Sequence, residues 1–209
     1  GGSPANRARL LLEVIAAVRD AVGPAIPVIL KLNATEQLDG GVTAADALAG
    51  VAMLNTTSLD LIDISGGTYF PGAKSASDSA GSGPYFADFA KAARAHTDIP
   101  LMLTGGIKTQ EQAVELLETG TADMIGLARA FILDPNLPMT WRNGGSPARF
   151  PRFSNPPEGG IPAWNTQQIT RIEQDEPIDH GADLEDAIAA YNARDTARIE
   201  LWNAHFGKV

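Results

Sequence analysis

The sequence predicts an α/β fold of the (β/α)8, or TIM-barrel, type, with this chain supplying about the second half from helix 4 to helix 8. Short apolar segments rich in β-branched residues alternate with amphipathic segments of helical period, which is typical of βα units and a parallel sheet. A leading helix and four such strands amount to half of an eight-stranded barrel. Glycine-containing turns follow two consecutive strands, at residues 104–107 and 126–129, where such barrels bind phosphate.

Five amphipathic segments are predicted to be helices. Ser3 precedes the first of them as an N-cap, and Thr43 and Thr109 each open a capping box completed three residues later. Gly23 and Gly120 end two of these helices, as glycine commonly does. The predicted helices cover residues 4–22, 43–54, 84–95, 109–120 and 183–206.

Four short segments are predicted to be strands because their apolarity is nearly continuous, as in buried parallel strands. They cover residues 27–33, 59–65, 99–104 and 122–127. The Gly/Ser-rich segment 66–83 is longer than a simple connection, and its length is typical of functional loops. Residues 1–140 are therefore predicted to be the C-terminal half of the barrel. Residues 141–209 are predicted to be an irregular segment and a C-terminal helix that pack on the barrel.

Composition argues against several classes of protein. The 209 residues are 44% hydrophobic, which suffices for one sizeable core, and the net charge of -9 argues against nucleic acid or an anionic membrane as partner. The absence of cysteine excludes disulfides and cysteine-ligated iron–sulfur clusters. His96, His180 and His205 lack ligand spacing, so no metal site is predicted. No apolar run reaches the roughly 18 residues of a membrane span and no signal peptide is recognised, so we expect a cytoplasmic protein.

The two glycine turns form a candidate phosphate site. Glycine lets backbone N–H groups approach an anion closely, and arginine adds a forked cationic donor. Gly105, Gly106 and Arg129 have these properties at consecutive strand ends. Taken separately, the glycines also fit an ordinary left-handed turn, and Arg129 fits a surface ion pair. Their combination favours a phosphorylated cofactor or substrate.

Lys31 is a second candidate because it lies in the middle of an apolar strand. A lysine rarely occupies such a place without a partner. It is interpreted either as a cation that faces a ligand or as a structural lysine paired with Asp63 or Glu36. The residues alone leave both interpretations open.

Four segments in order resemble one known family. They are GGSxxNRxR at residues 1–9, LKLNAT at 30–35, TGGI at 104–107 and ADxxGLAR at 122–129. Together they closely resemble the old yellow enzyme family of FMN-dependent NAD(P)H:flavin oxidoreductases, from its fourth helix through its eighth strand. The resemblance covers residues 1 to about 140.

The resemblance implies a set of residues that bind FMN. Gly105 and Gly106 would donate backbone N–H groups to the FMN phosphate. Ala128 and Arg129 would do the same after the eighth strand, with the Arg129 guanidinium adding charge. Lys31 falls where the family usually has an arginine beside the flavin N1 and C2 carbonyl, so the cation is kept but the bidentate fork is lost.

The resemblance also indicates where the other parts of the active site lie. In the family the first four strands supply the histidine-containing pair that binds a substrate carbonyl and the tyrosine that donates a proton. Those motifs are not in this sequence, so we predict no catalytic residue here and expect the isolated chain to be inactive. Tyr69 and Phe70 are either substrate-lining residues or ordinary loop anchors. Trp164 either caps the mouth of the active site or packs on the barrel.

The activity implied for the complete protein is FMN-dependent reduction of activated alkenes such as enones, with NADH or NADPH as the reductant and hydride transfer through flavin N5. Two alternatives stay open. One is a barrel enzyme that binds a phosphorylated ligand without flavin. The other is a non-catalytic half-barrel whose role is assembly. The expected partners are the missing N-terminal half or a second copy of the chain, and a small-molecule alkene.

Half a barrel leaves two strand edges unpaired, at the first and the last strand. Unpaired edges and uncovered apolar faces promote association. We therefore expect the chain not to be a well-behaved monomer on its own. Four side chains are expected to lose an opposing layer in the isolated half: Ile29, Ile62, Leu101 and Ile125.

Overall fold

A computed structural model describes residues 2–36, 39–67, 83–146 and 149–207. Within these ranges strands and helices alternate over the first two thirds of the chain, and helices alone follow. The elements are α1 (Pro4–Val22), β1 (Ile29–Asn33), α2 (Ala44–Leu54), β2 (Leu61–Ser65), α3 (Ala87–Ala93), β3 (Leu101–Thr104), α4 (Gln110–Glu118), β4 (Met124–Gly126), α5 (Arg129–Leu133), α6 (Leu137–Arg142), α7 (Gly160–Glu173) and α8 (Leu184–Phe206).

The chain divides into two compact units, Gly1–Leu127 and Ala128–Val209. The first unit holds the whole sheet and helices α1 to α4, and the second holds helices α5 to α8. The sequence places the division later, at residue 140. The structure groups α5 with the second unit because this helix contacts α7. That residues 141–209 pack on the barrel stays a prediction.

The predicted helix caps form as expected. The Ser3 hydroxyl accepts a hydrogen bond from the Asn6 amide at 3.3 Å, at the start of α1. Thr43 and Thr109 both open complete capping boxes, at the starts of α2 and α4. Each cap satisfies backbone N–H groups that the first helical turn leaves without partners, which fixes where the helix begins.

The four strands form one parallel sheet in the order β1-β2-β3-β4. Residues paired across parallel strands point to the same side, so Lys31, Asp63, Met102 and Met124 share one face, which we call the Lys31 face. The opposite face is fully buried in the two central strands, at Ile62, Ile64, Leu101 and Leu103. Helices α3 and α4 contact strands β3 and β4, as βα units in a parallel sheet require.

This arrangement corrects one expectation about the interior. Ile62 and Leu101 were expected to lose an opposing layer, but both are 0% exposed on the helix-covered face. Ile125 shares that face, since it pairs with Leu103. Ile29 does lie on the Lys31 face, where it is 54% exposed, and Met124 is 50% exposed. The uncovered apolar surface of the sheet is therefore limited to the Lys31 face.

A repeated clamp holds the amino ends of the strands. The Asp60 carboxylate, just before β2, accepts a hydrogen bond from the Val28 amide at 2.7 Å and pairs with Arg19. Asp123, just before β4, accepts from the Leu101 amide at 2.7 Å and pairs with Arg94. Each clamp thus joins an arginine at the end of a helix, α1 or α3, to the starts of two neighbouring strands.

The clamps help to explain why each strand begins two residues after its predicted start. Pro27 and Pro100 lack the N–H group that a ladder hydrogen bond needs. Asp60 and Asp123 stand directly before β2 and β4, with their side chains bonded to the neighbouring strand. The sequence pattern of these residues is typical of strands, but in the structure they precede the strands and make contacts at the strand ends.

The α1 helix has an apolar stripe that is only partly covered. Ile15 is buried, whereas Leu10, Val14 and Val18 are 71%, 49% and 40% exposed. Positions spaced by four residues lie on one side of a helix, so these three form a continuous exposed strip. No helix in the described part of the chain is both long and apolar enough to span a bilayer.

The second unit has its own core. The segment predicted as irregular, which starts at residue 141, contains the fourteen-residue α7, and α7 packs against α8. Trp164 is 1% exposed in this core, in an edge-to-face contact with Phe153 at 5.8 Å between ring centroids. Trp164 therefore serves as a packing residue of the second unit. The buried core residues are Leu133, Ala163, Trp164, Leu184 and Ala187.

We predict that the clamps make the protein sensitive to acid. The Val28 amide, and then Arg19, hold the pKa of Asp60 below its ordinary value. Partial burial raises the pKa of Asp123, but hydrogen bonds from Arg94 and the Leu101 amide outweigh it, so the net shift is also downward. A depressed pKa in the folded state stabilises the fold above the unfolded pKa of about 4, and this stabilisation is lost as the pH falls through the folded value.

Urea unfolding at about pH 6 and about pH 3 tests this. Asp123→Asn should lower the free energy of unfolding at the higher pH. The variant should then lose less stability than wild type between the two pH values. Asp20→Asn, at an exposed position of α1, is the matched control and should leave the wild-type pH dependence in place. A wild-type pH dependence in Asp123→Asn would contradict the role of the clamp.

Candidate functional site

The carboxyl ends of the four strands lie at one edge of the sheet, because the strands are parallel and neighbours in order. Asn33 pairs with Ser65 at the ends of β1 and β2, and Thr104 pairs with Gly126 at the ends of β3 and β4. Small and polar side chains therefore line this edge on the Lys31 face. A Cβ atom at Gly126 would lie 1.9 Å from the Thr104 hydroxyl, so a residue with a side chain does not fit at Gly126 beside Thr104.

The turn after β3 is built from two glycines with left-handed backbone angles. Gly105 has φ of 117° and Gly106 has φ of 77°, values that residues with a side chain rarely adopt. A Cβ atom at Gly106 would lie 2.1 Å from the carbonyl oxygen of Gly83 and 2.8 Å from the Tyr85 ring. The predicted glycine turn is thus present, and close packing of backbone and ring makes glycine necessary at Gly106.

Tyr85 and Phe86 support this turn, and sequence reasoning did not single them out. The Tyr85 amide donates a hydrogen bond to the Gly105 carbonyl at 3.2 Å, and Phe86 is 5% exposed. A Cβ atom at Gly66, after β2, would lie 2.6 Å from the Phe86 ring. Phe86 has a non-helical backbone, with φ of -119° and ψ of 17°, so α3 begins at Ala87 rather than at residue 84 as predicted. An adjacent aromatic pair between a glycine-rich loop and a helix is the signal that could have indicated this support.

Lys31 and Asp63 form an ion pair on the Lys31 face. The Lys31 Nζ lies 3.1 Å from Asp63 Oδ2, and the Thr104 hydroxyl donates to Asp63 Oδ1 at 2.7 Å. The Asp63 side chain is only 9% exposed, whereas the Lys31 side chain is 59% exposed. A carboxylate this deeply placed needs partners for both oxygens, and it has them here.

Of the two partners proposed for Lys31 from the sequence, the structure shows Asp63. The Glu36 carboxylate instead accepts a hydrogen bond from the Val42 amide at 2.9 Å. The pairing leaves most of the Lys31 side chain open to solvent. It lies on the same face of the sheet as the side chains of Asn33 and Ser65 at the strand ends. A structural partner and an exposed cation are therefore compatible, and the interpretation of Lys31 as a ligand-facing cation stays a prediction.

The remaining predicted site residues are placed as follows. Ala128 and Arg129 belong to the second unit, where Ala128 caps the short helix α5 and Arg129 is its first residue. Their contribution to a phosphate site stays a prediction. Tyr69 and Phe70 lie outside the described residues.

Comparison with known proteins shows which family this chain resembles. The model of the NADH:flavin oxidoreductase / NADH oxidase family matches residues 1–146. The NADH-dependent flavin oxidoreductase iliE of Neonectria sp. (strain DH2) is 36% identical over 152 residues, which cover 67% of this chain and 20% of that protein. The NADPH dehydrogenase of Bacillus licheniformis is 36% identical over 140 residues, covering 67% of this chain and 39% of that protein.

The fold also has a solved counterpart. The old yellow enzyme homologue from Zymomonas mobilis superposes with a TM-score of 0.55 at 23% identity, over 71% of this chain and 40% of that one. This likeness and the parallel βα architecture confirm the predicted (β/α)8-type fold class.

The part of the chain that builds the sheet and the glycine turn is thus of flavin oxidoreductase type. The chain belongs to the NADH:flavin oxidoreductase / NADH oxidase family, which confirms the resemblance seen in the sequence. The chain spans about a fifth to two fifths of the length of the two curated relatives described above.

We predict that Gly106→Ala destabilises the protein more than an equivalent change at Gly120. Both glycines have positive φ, but Gly120 has no atom within 4 Å of a built Cβ. The left-handed backbone alone costs about 1–2 kcal/mol for alanine. Gly106→Ala adds a steric clash with the Gly83 carbonyl and the Tyr85 ring, which should cost at least about 1 kcal/mol more. Urea unfolding of both variants measures the difference, and equal losses would contradict the close packing of the turn.

Proposed function

We propose that this chain binds FMN and forms part of an NAD(P)H-dependent flavin oxidoreductase that reduces activated alkenes. The backbone N–H groups of Gly105 and Gly106 hold the phosphate, and Ala128 and Arg129 contribute further donors. Lys31 lies beside the pyrimidine edge of the flavin. Family membership supports the general class of activity, and the alkene substrate is the finer part of the proposal.

The observation that carries the proposal is the glycine turn at the carboxyl end of β3. A backbone with φ of 117° and 77° at consecutive glycines has no side chains to keep an anion away from its amides. The space for a Cβ at Gly106 is already filled by Gly83 and Tyr85, so the turn is packed on one side. The residues therefore fit a phosphate group approaching from the other side.

The second support is the position of Lys31. It is the exposed partner of an ion pair, and it lies on the same face of the sheet as the side chains at the carboxyl ends of β1 and β2. A planar ring attached to a phosphate at the β3 turn would extend toward Lys31 across small residues, because Thr104 on β3 and Ser65 on β2 have short side chains.

When bound, FMN supplies hydride transfer at N5 between NADH or NADPH and the alkene. The residues of this chain bind and orient the cofactor. The Lys31 ammonium favours negative charge on the pyrimidine ring and so favours the reduced form of the cofactor. Lysine provides this charge at a single point, without the bidentate geometry of arginine.

We propose that the substrate-binding and proton-donating groups come from a second half-barrel. This is supported by the fraction of the relatives' length that the chain spans and by the uncovered apolar surface of the first unit. Ile29 and Met124 on the Lys31 face, together with the exposed strip of α1, are the surfaces that such a partner would cover.

We predict that Arg129→Ala weakens FMN binding about tenfold to a hundredfold. Loss of a hydrogen bond to a charged group costs roughly 1.5–3 kcal/mol. Titration of FMN with the chain, followed by quenching of flavin fluorescence, gives the affinity. Arg142→Ala, at an exposed position at the end of α6, is the control and should bind FMN like wild type. Unchanged affinity in Arg129→Ala would remove this residue from the phosphate site.

We also predict that the isolated chain associates in solution. Size-exclusion chromatography with light scattering should give a mass above the monomer value of 21.9 kDa. Val14→Lys places a charge in the exposed strip of α1 and should shift the distribution toward monomer. Ala16→Lys, at an exposed position on another side of α1, adds the same single charge and is the control. A monodisperse wild-type monomer would count against the proposed partner half.

A further inference from the structure

We infer that FMN meets a nearly neutral Lys31–Asp63 pair rather than an isolated lysine, so that Asp63 tunes how strongly the site prefers reduced over oxidised flavin. This inference rests on the proposed function, because it assumes that Lys31 lies beside the flavin. It concerns Asp63, a residue that would act on the cofactor through Lys31.

The geometry fixes Asp63 more firmly than Lys31. Asp63 lies in a central strand with its side chain 9% exposed, and its two oxygens are bound by the strand on either side. Thr104 of β3 donates to one oxygen at 2.7 Å, and Lys31 of β1 lies 3.1 Å from the other. The carboxylate is thus a fixed charge, to which the flexible lysine is drawn.

A fixed partner helps to define where a lysine ammonium lies, because the lysine side chain itself does not. Its ammonium is carried on a four-carbon stem with many rotamers, and it has no planar fork that would define its direction. Pairing with Asp63 restricts the ammonium to the neighbourhood of the sheet surface. Because the two charges are opposite, the pairing also weakens the electrostatic potential of the ammonium at groups outside the pair.

This cancellation has a definite consequence for the cofactor. A lone cation next to the pyrimidine ring would stabilise the extra negative charge of reduced flavin strongly. A neutral pair stabilises it less, so the site binds the two oxidation states with more similar affinity. Removing either charge of the pair should therefore move this preference, and in opposite directions.

The test measures dissociation constants of oxidised and reduced FMN for the full chain under anaerobic conditions, in wild type and three variants. Asp63→Asn should increase the preference for reduced FMN about tenfold, since a charge about 8 Å away is removed from a partly solvated site. Lys31→Met should decrease it by a similar factor. The double variant Lys31→Met/Asp63→Asn is neutral again and should return to within about threefold of wild type.

The double variant also protects the test against misfolding. Removing Lys31 alone leaves the buried Asp63 carboxylate without its charged partner, whereas replacing both residues leaves no unpaired charge. If Asp63→Asn does not fold, the comparison of Lys31→Met with the double variant still measures the effect of Asp63. A separate control, Asp20→Asn, removes one carboxylate at an exposed position of α1, outside the site, and should change the preference less than about twofold.

A second readout needs no flavin. Acetylation of lysines by a limiting active ester, mapped by peptide mass spectrometry, should be severalfold faster at Lys31 in Asp63→Asn than in wild type, because the ion pair that shields the amine is lost. Lys91 and Lys108 are internal references and should react equally in both proteins.

The outcomes separate the two levels of the proposal. An unchanged preference for reduced FMN in Asp63→Asn, or a double variant that behaves like Lys31→Met, would overturn the inference about Asp63 while leaving FMN binding intact. An unchanged acetylation rate at Lys31 would overturn the pairing itself. Failure of the wild-type chain to bind either form of FMN would overturn the proposed function, and the inference with it.

Discussion

The parallel hydrogen bonding of four strands in chain order is the constraint on which the rest of the structure depends. Because β1 pairs with β2 and β3 with β4 in a fixed register, Lys31 lies opposite Asp63 and Thr104 lies opposite Gly126. A shift of one residue in any strand would turn these side chains to the helix-covered face. The candidate site therefore follows from the register, and its chemistry follows from the residues that the register brings to one face.

The two ends of the sheet carry out different tasks. At the amino ends, Asp60 and Asp123 bind backbone amides and arginines, which joins neighbouring strands. At the carboxyl ends, the Lys31 face carries small and polar residues, and the glycines allow Tyr85 and Phe86 to pack closely against the turn and the end of β2. This division is the usual one in barrels of parallel strands, where the amino end serves stability and the carboxyl end serves function.

Much of this fold could be predicted from the sequence because its signals are local. Ser3, Thr43 and Thr109 mark helix starts through hydrogen bonds within one turn, and the four strands are short apolar segments between such helices. The sequence also indicated the glycine turn at Gly105. The start of α3 was missed because Tyr85 and Phe86 pack against the distant glycines Gly105 and Gly66, with Phe86 in a non-helical backbone conformation, which no local pattern shows.

The parts of the site that depend on distant contacts could be predicted only incompletely. The sequence offered both Asp63 and Glu36 as partners of Lys31, and only the strand register decides between them. Thr104 as the second partner of Asp63, and Phe86 beneath Gly66, were not anticipated for the same reason. In the second unit, α7 was hidden by the prolines and glycines near its start, and Trp164 is buried by residues from other helices.

The most direct measurement compares the affinities of the chain for FMN and for riboflavin, which differ by the phosphate group alone. Isothermal titration calorimetry or fluorescence quenching gives both dissociation constants under the same conditions. If the strand ends hold the phosphate, FMN binds at least about tenfold more tightly than riboflavin, the equivalent of one charge-assisted hydrogen bond or more. Equal affinities for the two flavins would contradict the account.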